Sequence, residues 1–365
     1  MRTFLTKIVF RINIVAAFLL LLSCLSVYIT PQFFWPVAFL GLAYPFLLIT
    51  NIAFAVLWAI KWKKQFFLSF LAIVLGYTFF IRIIQIHAPW NHKKQTNIHT
   101  SFKILSFNVR LFNLYNWTPN NRDGREIIKF TEKESPDIIC FQEFYTREKG
   151  TYSEAELFKN LPKNKYRHIK YTFSKKGVSN FGIATLSRYP IISKGEIHFD
   201  NTYNACIYSD LRIGNDTIRV YNNHLQSVRF LKQNYDFIDT LKLKYDSRNF
   251  IGLLDITFRL KLAFVKRAQQ ADKIAAHIKS SPFPVIVCGD FNDSPVSYTY
   301  QKIQNNLVDA FMESGSGFGN TYLGKFPSFR IDYILHDKNL SSTYYRSPKI
   351  KLSDHYPVVC FISTK

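Results

Sequence analysis

The first 100 residues hold nine lysines and arginines and not one aspartate or glutamate. Three apolar runs fill that acid-free stretch, roughly Ile12 to Ile29, Phe34 to Ile60 and Phe66 to Ile84, each near the ~20 residues an α-helix needs to cross a bilayer. A single run of this kind also fits a buried core helix. Three in succession without an acid favour lipid, so residues 1–90 are expected to form three transmembrane helices. A cleaved signal peptide is the other reading of the first run, since Arg2, Lys7 and Arg11 precede it. Against that, two more runs follow, and Ser23-Cys24-Leu25-Ser26 is a poor small-residue cleavage site. Lysine and arginine are retained on the cytoplasmic side of short loops. The basic leader and Lys61, Lys63 and Lys64 share one side, and the uncharged loop Thr30 to Trp35 takes the other. The expectation is a multi-pass protein of the cell (inner) membrane, partnered by the lipid bilayer, with everything after about residue 90 outside the cytoplasm. Arg82, Lys93 and Lys94, at and beyond the end of the third run, pull the other way.

Taking those nine basic residues from the 47 in the chain leaves 38 against 25 acids, a net +13 of the total +22. Such a surface attracts nucleic acid, phospholipid head groups or sugar phosphates. No protein partner follows from it. Of five cysteines, Cys24 falls in the first apolar run, and Cys140, Cys206, Cys288 and Cys360 lie in or beside strand-like runs. There a free thiol packs as a small hydrophobe, and no CxxC pair points to a metal or redox site.

After a polar linker at Asn91 to Thr100, short apolar strands alternate with helices. Phe102 to Asn108 and Asp137 to Gln142 read as strands, with a helix over Arg122 to Glu134 that stops before Ser135-Pro136. Leu211 to Ile213 and Thr217 to Asn223 flank Gly214-Asn215-Asp216, a hairpin signal. Ala263 to Ile278 is helical, and Pro284 to Cys288, Ile331 to Leu335 and Pro357 to Ile362 are strands. The polar chemistry sits where these strands stop or start: Asn108, Glu143, His224, Asp290 with Asn292, Asp332, and Asp354-His355. Strand ends along one sheet edge converge, so residues nearly 250 positions apart can share a pocket.

At these residues the chain resembles the endonuclease/exonuclease/phosphatase superfamily, as a membrane-anchored, bacterial-type member close to deoxyribonucleases and neutral sphingomyelinases. Ser106-Phe107-Asn108-Val109-Arg110, Phe141-Gln142-Glu143, Gly289-Asp290-Phe291-Asn292-Asp293, Arg330-Ile331-Asp332-Tyr333 and Ser353-Asp354-His355-Tyr356-Pro357 stand in that family's order, with Leu186-Ser187-Arg188-Tyr189-Pro190 between them. The resemblance spans about residues 101–365 and implies a four-layer α/β/β/α sandwich, of α/β class, with its site at one edge of two packed sheets. A histidine at 224 sets the chain apart from abasic-site endonucleases, which carry tyrosine there. Asn222-Asn223 departs from the small hydroxyl residue usual before that histidine.

These residue types suit hydrolysis of a phosphodiester. Mg²⁺, or Mn²⁺ in its place, takes oxygen ligands and keeps several waters, so few carboxylates suffice. Glu143 is the first choice of ligand and Asp354 a further one, and the resemblance adds Asn108. Asp290 suits the acceptance of a proton from the attacking water, with Asn292 orienting that water or a phosphate oxygen. His224 and His355 suit hydrogen bonding to phosphate oxygens, and the resemblance assigns Asp332 to hold His355. Arg110, Asn292 and His224 are the expected substrate contacts. A non-catalytic membrane protein that binds a phosphorylated ligand on the same fold is the alternative; no catalytic part is missing to support it.

Gln226 to Leu262 looks like an insertion. Phe230, Leu231, Phe237, Ile238, Leu241 and Tyr245 approximate a helical stripe among basic residues, and Phe250 to Phe264 is richer still in apolar side chains. It fits either helices that cover the sandwich or a basic, apolar surface that meets lipid head groups.

Overall fold

The computed structural model describes residues 2–86, 100–115, 124–228, 230, 234, 237, 247–324 and 329–364. Most of the linker, the start of the helix expected at Arg122 and most of the stripe between Phe230 and Tyr245 lie outside the described residues. The chain divides into two compact units, one of Met1–Ile84, Val228–Ala271 and Asp293–Lys302, the other of Gln85–Ser227, Asp272–Asn292 and Ile303–Lys365.

The second unit is built on two six-stranded sheets. In chain order the strands are β1 (Ser101–Asn108), β2 (Ile138–Arg147), β3 (Tyr166–Lys175), β4 (Ser179–Ser187), β5 (Ile191–Ile197), β6 (Ala205–Ile213), β7 (Asp216–His224), β8 (Val285–Asp290), β9 (Val308–Asp309), β10 (Asp332–His336), β11 (Leu340–Arg346) and β12 (Val358–Thr364). One sheet runs β11-β12-β1-β2-β4-β3 and the other β5-β6-β7-β8-β10-β9. The only parallel pairs among these strands, β1 with β2 and β7 with β8, lie in the middle of each.

Side chains alternate across a strand, so a continuous apolar run buries both faces. Ile104, Ile138 and Cys140 enter the core shared with Ile218, Val220, Ile286, Cys288 and Ile334 of the other sheet. Their neighbours Leu105, Phe107, Ile139 and Phe141 face outward, onto Ile127 and Ile128 of helix Arg125–Glu134 and Leu157 and Phe158 of helix Glu154–Lys159. The second sheet's outer face carries residues Asp272–Lys279, where Tyr221 Oη lies 2.8 Å from His277 Nδ1. The four-layer arrangement expected from the sequence is therefore present. All five cysteines are free, and Cys140, Cys206, Cys288 and Cys360 are buried.

Asp137 secures the entry to β2. Its carboxylate accepts from the Lys103 amide at 2.8 Å and faces Lys163 Nζ at 2.9 Å and Arg188 Nη1 at 3.2 Å. Burial pushes the carboxyl up, but these donors outweigh it and hold the group below its ordinary 3.8. A depressed carboxyl contributes stability above its unfolded pKa and loses it as pH falls through the folded value. Asp137→Asn should cost about 1–3 kcal/mol at neutral pH. In denaturation midpoints measured against pH, that gap should close on acidification below the ordinary carboxylate range.

In the first unit, helices Arg2–Cys24 and Pro36–Ile60 correspond to the first two apolar runs, and Phe4–Val27 and Pro36–Ile60 are each long and apolar enough to cross a membrane. The third run differs from expectation. Instead of one helix it forms Phe66–Leu75 and Tyr77–Ile83, bent by 71° at Gly76, whose carbonyl accepts a hydrogen bond from the Tyr44 hydroxyl at 3.2 Å. An outside donor at that carbonyl accompanies the break. Buried polar side chains join the helices. Trp58 Nε1 donates to Asn13 Oδ1 (2.9 Å), Asn13 Nδ2 to Ser69 Oγ (2.6 Å), and Ser69 Oγ to Asn51 Oδ1 (3.0 Å). Segment Asp293–Lys302 packs within this unit. Ser26 Oγ donates to Val296 O at 3.2 Å, Arg82 Nη2 to Gln301 Oε1 at 2.7 Å, and buried Arg267 pairs with Asp293 at 3.1 Å. Residues 247–262 of the expected insertion are continuous with the helix expected at Ala263, as one helix Ser247–Lys279.

Candidate active site

Strand register assembles the site from both sheets. In the parallel pair β7 and β8, His224 lies opposite Asp290, and in the antiparallel pair β8 and β10, Asp290 lies opposite Asp332. In the other sheet, β1 ends at Asn108 opposite Gln142, one residue before Glu143. The sheets meet at this edge through Asn108, whose Nδ2 donates to Asp290 Oδ2 at 3.0 Å and to Glu143 Oε1 at 3.4 Å. Its Oδ1 accepts from the Arg110 amide at 3.0 Å.

Local backbone geometry aims each group. The register of β2 against β4 shifts between Phe141 and Phe144, and within that bulge Glu143 has φ +48°. A bulge reverses the alternation of a strand and re-aims a side chain, which here turns Glu143 toward His224, with 3.5 Å between Oε1 and Nε2. Residues Arg110 to Asn113 all have φ between +44° and +57°, a costly left-handed run for residues with a Cβ. It brings Arg110 Nε to 3.2 Å from Asp354 Oδ2. Asn292, at φ +52°, closes a turn on Asp290: its amide donates to Oδ1 at 2.8 Å and its Nδ2 to Oδ2 at 3.1 Å. His355 Nδ1 lies 2.9 Å from Asp332 Oδ2, and its Nε2 is 3.8 Å from Asp290 Oδ2. The ligating atoms of Asp290, Asp332 and His355 fall within 4.8 Å of one another.

Charge is concentrated here at an electrostatic cost. Burial, then repulsion from Asp332, pushes the Asp290 carboxyl up to about 6 against the pull of His355 and His224. Burial and then Asp354 raise Glu143. For His355 burial opposes the charged form, but Asp332 and Asp290 outweigh it and hold the imidazole well above its ordinary value. A hard divalent cation fits this donor set. The carboxylates of Glu143 and Asp354 stand close enough for the charge of one to raise the other, a repulsion that a cation held by both would relieve.

Every residue expected from the sequence is thus placed at this edge, with supporting residues to which the sequence assigned no role; Thr321 and Tyr322 carried no signal, whereas Ser353 and Gln142 stand inside the family-ordered motifs. Thr321 Oγ1 accepts from the amides of Ile331 and Asp332 at 3.0 and 3.1 Å, and the Tyr322 ring stands edge-on to His355 at 5.4 Å. Ser353 Oγ donates to Asn108 O at 2.8 Å. Beneath the site, Gln142 Nε2 donates to Asn222 Oδ1 at 2.7 Å, and Asn222 Nδ2 to Ala184 O at 2.9 Å. The unusual Asn222 therefore ties the two sheets together inside the core. Only the departure from a small hydroxyl residue marked it in advance.

A model of the endonuclease/exonuclease/phosphatase family matches residues 105–355. Residues 6–83 match a second family described only as a domain of unknown function. No curated protein matches the chain. Among solved structures, an endonuclease/exonuclease/phosphatase from Bacteroides vulgatus is similar with a TM-score of 0.53 at 16% identity, over 73% of this chain and 100% of that one. One from Beutenbergia cavernae gives 0.52 at 14% identity over 72% of each chain. A family protein from Bacteroides thetaiotaomicron gives 0.50 at 16% identity, over 73% of this chain and 96% of the other. At such identities the likeness is one of fold.

Proposed function

Because the chain belongs to the endonuclease/exonuclease/phosphatase family, we propose that it is a membrane-anchored, divalent-metal-dependent hydrolase of phosphoric esters, acting on phosphodiester or phosphomonoester bonds. The observation that carries this reading is the Asn108 amide, which joins Glu143 of one sheet to Asp290 of the other beside the His355 and Asp332 pair. Glu143, Asp354 and the side-chain oxygen of Asn108 would hold Mg²⁺ or Mn²⁺, which when bound supplies positive charge against a phosphate oxygen.

Asp290 accepts the proton of the attacking water, and its raised pKa brings it nearer the value an efficient base needs. Asn292, fixed by two bonds to Asp290, orients that water or a phosphate oxygen. His355 keeps its proton because Asp332 holds Nδ1, leaving Nε2 to donate to a phosphate oxygen as negative charge develops. His224 flanks the same position, and Arg110 contacts the substrate from above the edge. Nucleic acid and phospholipid head groups are the substrate classes that the basic charge favours. The N-terminal helices anchor the chain in the cell membrane, with the catalytic portion on the extracytoplasmic side.

The full chain, reconstituted in nanodiscs, should hydrolyse one of DNA, RNA, phospholipid vesicles or a chromogenic phosphodiester. Activity should disappear with chelator, return with Mg²⁺ or Mn²⁺, and be lost in Glu143→Ala. Retention of all activity in chelator would remove the metal from the mechanism. Silence on every substrate, with phosphate esters still bound, would favour the binding-only reading.

A further inference from the structure

Helix Ser247–Lys279 has two apolar faces where a soluble helix has one. On one face Ile256, Leu260 and Phe264 pack with Ala38, Phe39 and Leu42 in the first turns of helix Pro36–Ile60, with Phe39 and Phe264 edge-to-face at 5.2 Å. On the opposite face Ile251, Leu254, Phe258 and Leu262 are 70%, 52%, 56% and 43% exposed. Their spacing of three, four and four residues places them on a single stripe. The next exposed positions along that stripe are Lys266, Gln269 and Lys273, so its chemistry changes from apolar to polar within one turn.

Water accounts for the polar half of that stripe but not for four large apolar side chains in line. The occupant follows from what the helix packs on. Phe4–Val27 and Pro36–Ile60, the two helices apolar enough to cross a membrane, belong to the same compact unit. The helix meets the second of them at its start, where Lys261 Nζ lies 5.3 Å from the centre of the Trp35 ring. Tryptophan and lysine gather where hydrocarbon meets head groups, so a bilayer that holds Pro36–Ile60 has its surface at this level.

We infer that the Ile251, Leu254, Phe258 and Leu262 face of this helix is seated in the surface of the bilayer that the N-terminal helices cross, with Lys266 marking its emergence into water. The inference rests on the reading of those helices as membrane spans. It adds a lipid contact supplied from the sequence between His224 and Asp290, separate from the N-terminal anchor. Seating of such a face is shallow, about 5–10 Å into the boundary of head groups and acyl chains.

The test uses the full chain in phosphatidylcholine and phosphatidylglycerol vesicles on a Cys24→Ser background, the other four cysteines being buried. Single sites Leu254→Cys and Phe258→Cys receive an environment-sensitive fluorophore. Ile49→Cys, on the second candidate span and 63% exposed, reads the anchor alone, and Gln269→Cys reads the polar end. With doxyl groups high on the lipid acyl chains, fluorescence at 254 and 258 should fall about twofold, as for a shallow amphipathic helix, while 269 stays unchanged; doxyl groups near the chain ends read position 49, which lies near the middle of its span. Quenching at 49 with 254 and 258 behaving like 269 would overturn the inference and leave the anchor intact. No quenching at 49 would overturn the anchor and the inference that rests on it.

Discussion

Asp290→Asn in the full chain is expected to lower kcat/KM by about 10²–10⁴-fold, the loss that accompanies removal of a positioned proton acceptor, without lowering the thermal midpoint. The two halves of that expectation have different origins. The carboxylate is 1% exposed and accepts bonds from the Asn292 amide, Asn292 Nδ2 and Asn108 Nδ2. An asparagine of the same shape keeps an oxygen for part of that set. Because burial holds the Asp290 carboxyl above its ordinary value, its ionised form opposes folding at neutral pH, and a neutral amide relieves that cost. Loss of activity with loss of fold would say nothing about the base. Loss of activity at an unchanged or higher midpoint identifies it, and unchanged kcat/KM would end the assignment. His355→Ala should likewise abolish turnover, and full activity in that variant would be equally damaging.

Gly289→Ala should be the most destabilising single-methyl change near the site, costing roughly 3–5 kcal/mol from a disfavoured backbone and a direct clash. Gly289 has φ +135°, a conformation closed to residues with a Cβ, and a Cβ placed there would stand 2.0 Å from Asn223 O of the neighbouring strand. Strands β7 and β8 approach at that point because His224 and Asp290, one residue farther along, must face each other across the same pair. Relief of the clash would separate the strands, so activity should fall together with the thermal midpoint, measured by scanning fluorimetry in detergent. A midpoint within a degree of the parent would mean that the strand pair accommodates the methyl group, and the site with it.

The sandwich was legible because its central strands are bounded apolar runs, as at Ile104 to Phe107 and Val285 to Cys288, and buried parallel strands read that way. The site was legible because its groups stand at the ends of those runs. What stayed hidden depends on the third dimension. The bulge at Glu143 arises from a register shift against β4, and nothing in Phe141-Gln142-Glu143 announces it. Of the four left-handed residues Arg110 to Asn113, only Asn113 is of a type that readily adopts that conformation. Thr321 lies in a loop with no periodicity, yet its hydroxyl receives the Asp332 amide. The third apolar run looked like one straight helix because hydropathy counts residues and is blind to the Tyr44 hydroxyl that meets the Gly76 carbonyl.

The packing of Asp293–Lys302 among the N-terminal helices bears on how such a chain can change over generations. A Cβ at Gly41 would stand 2.4 Å from Val296 O and 2.3 Å from Ser26 Oγ, so three positions spread over 270 residues share one fitted contact. Arg267 and Asp293 form a second such contact, both nearly devoid of water. A substitution at one of these positions is expected to need a matching change at its partners. The packing of the helices ahead of Ile84 is thus completed by residues more than 200 positions later in the chain, so a fragment ending at Ile84 would lack part of its own unit.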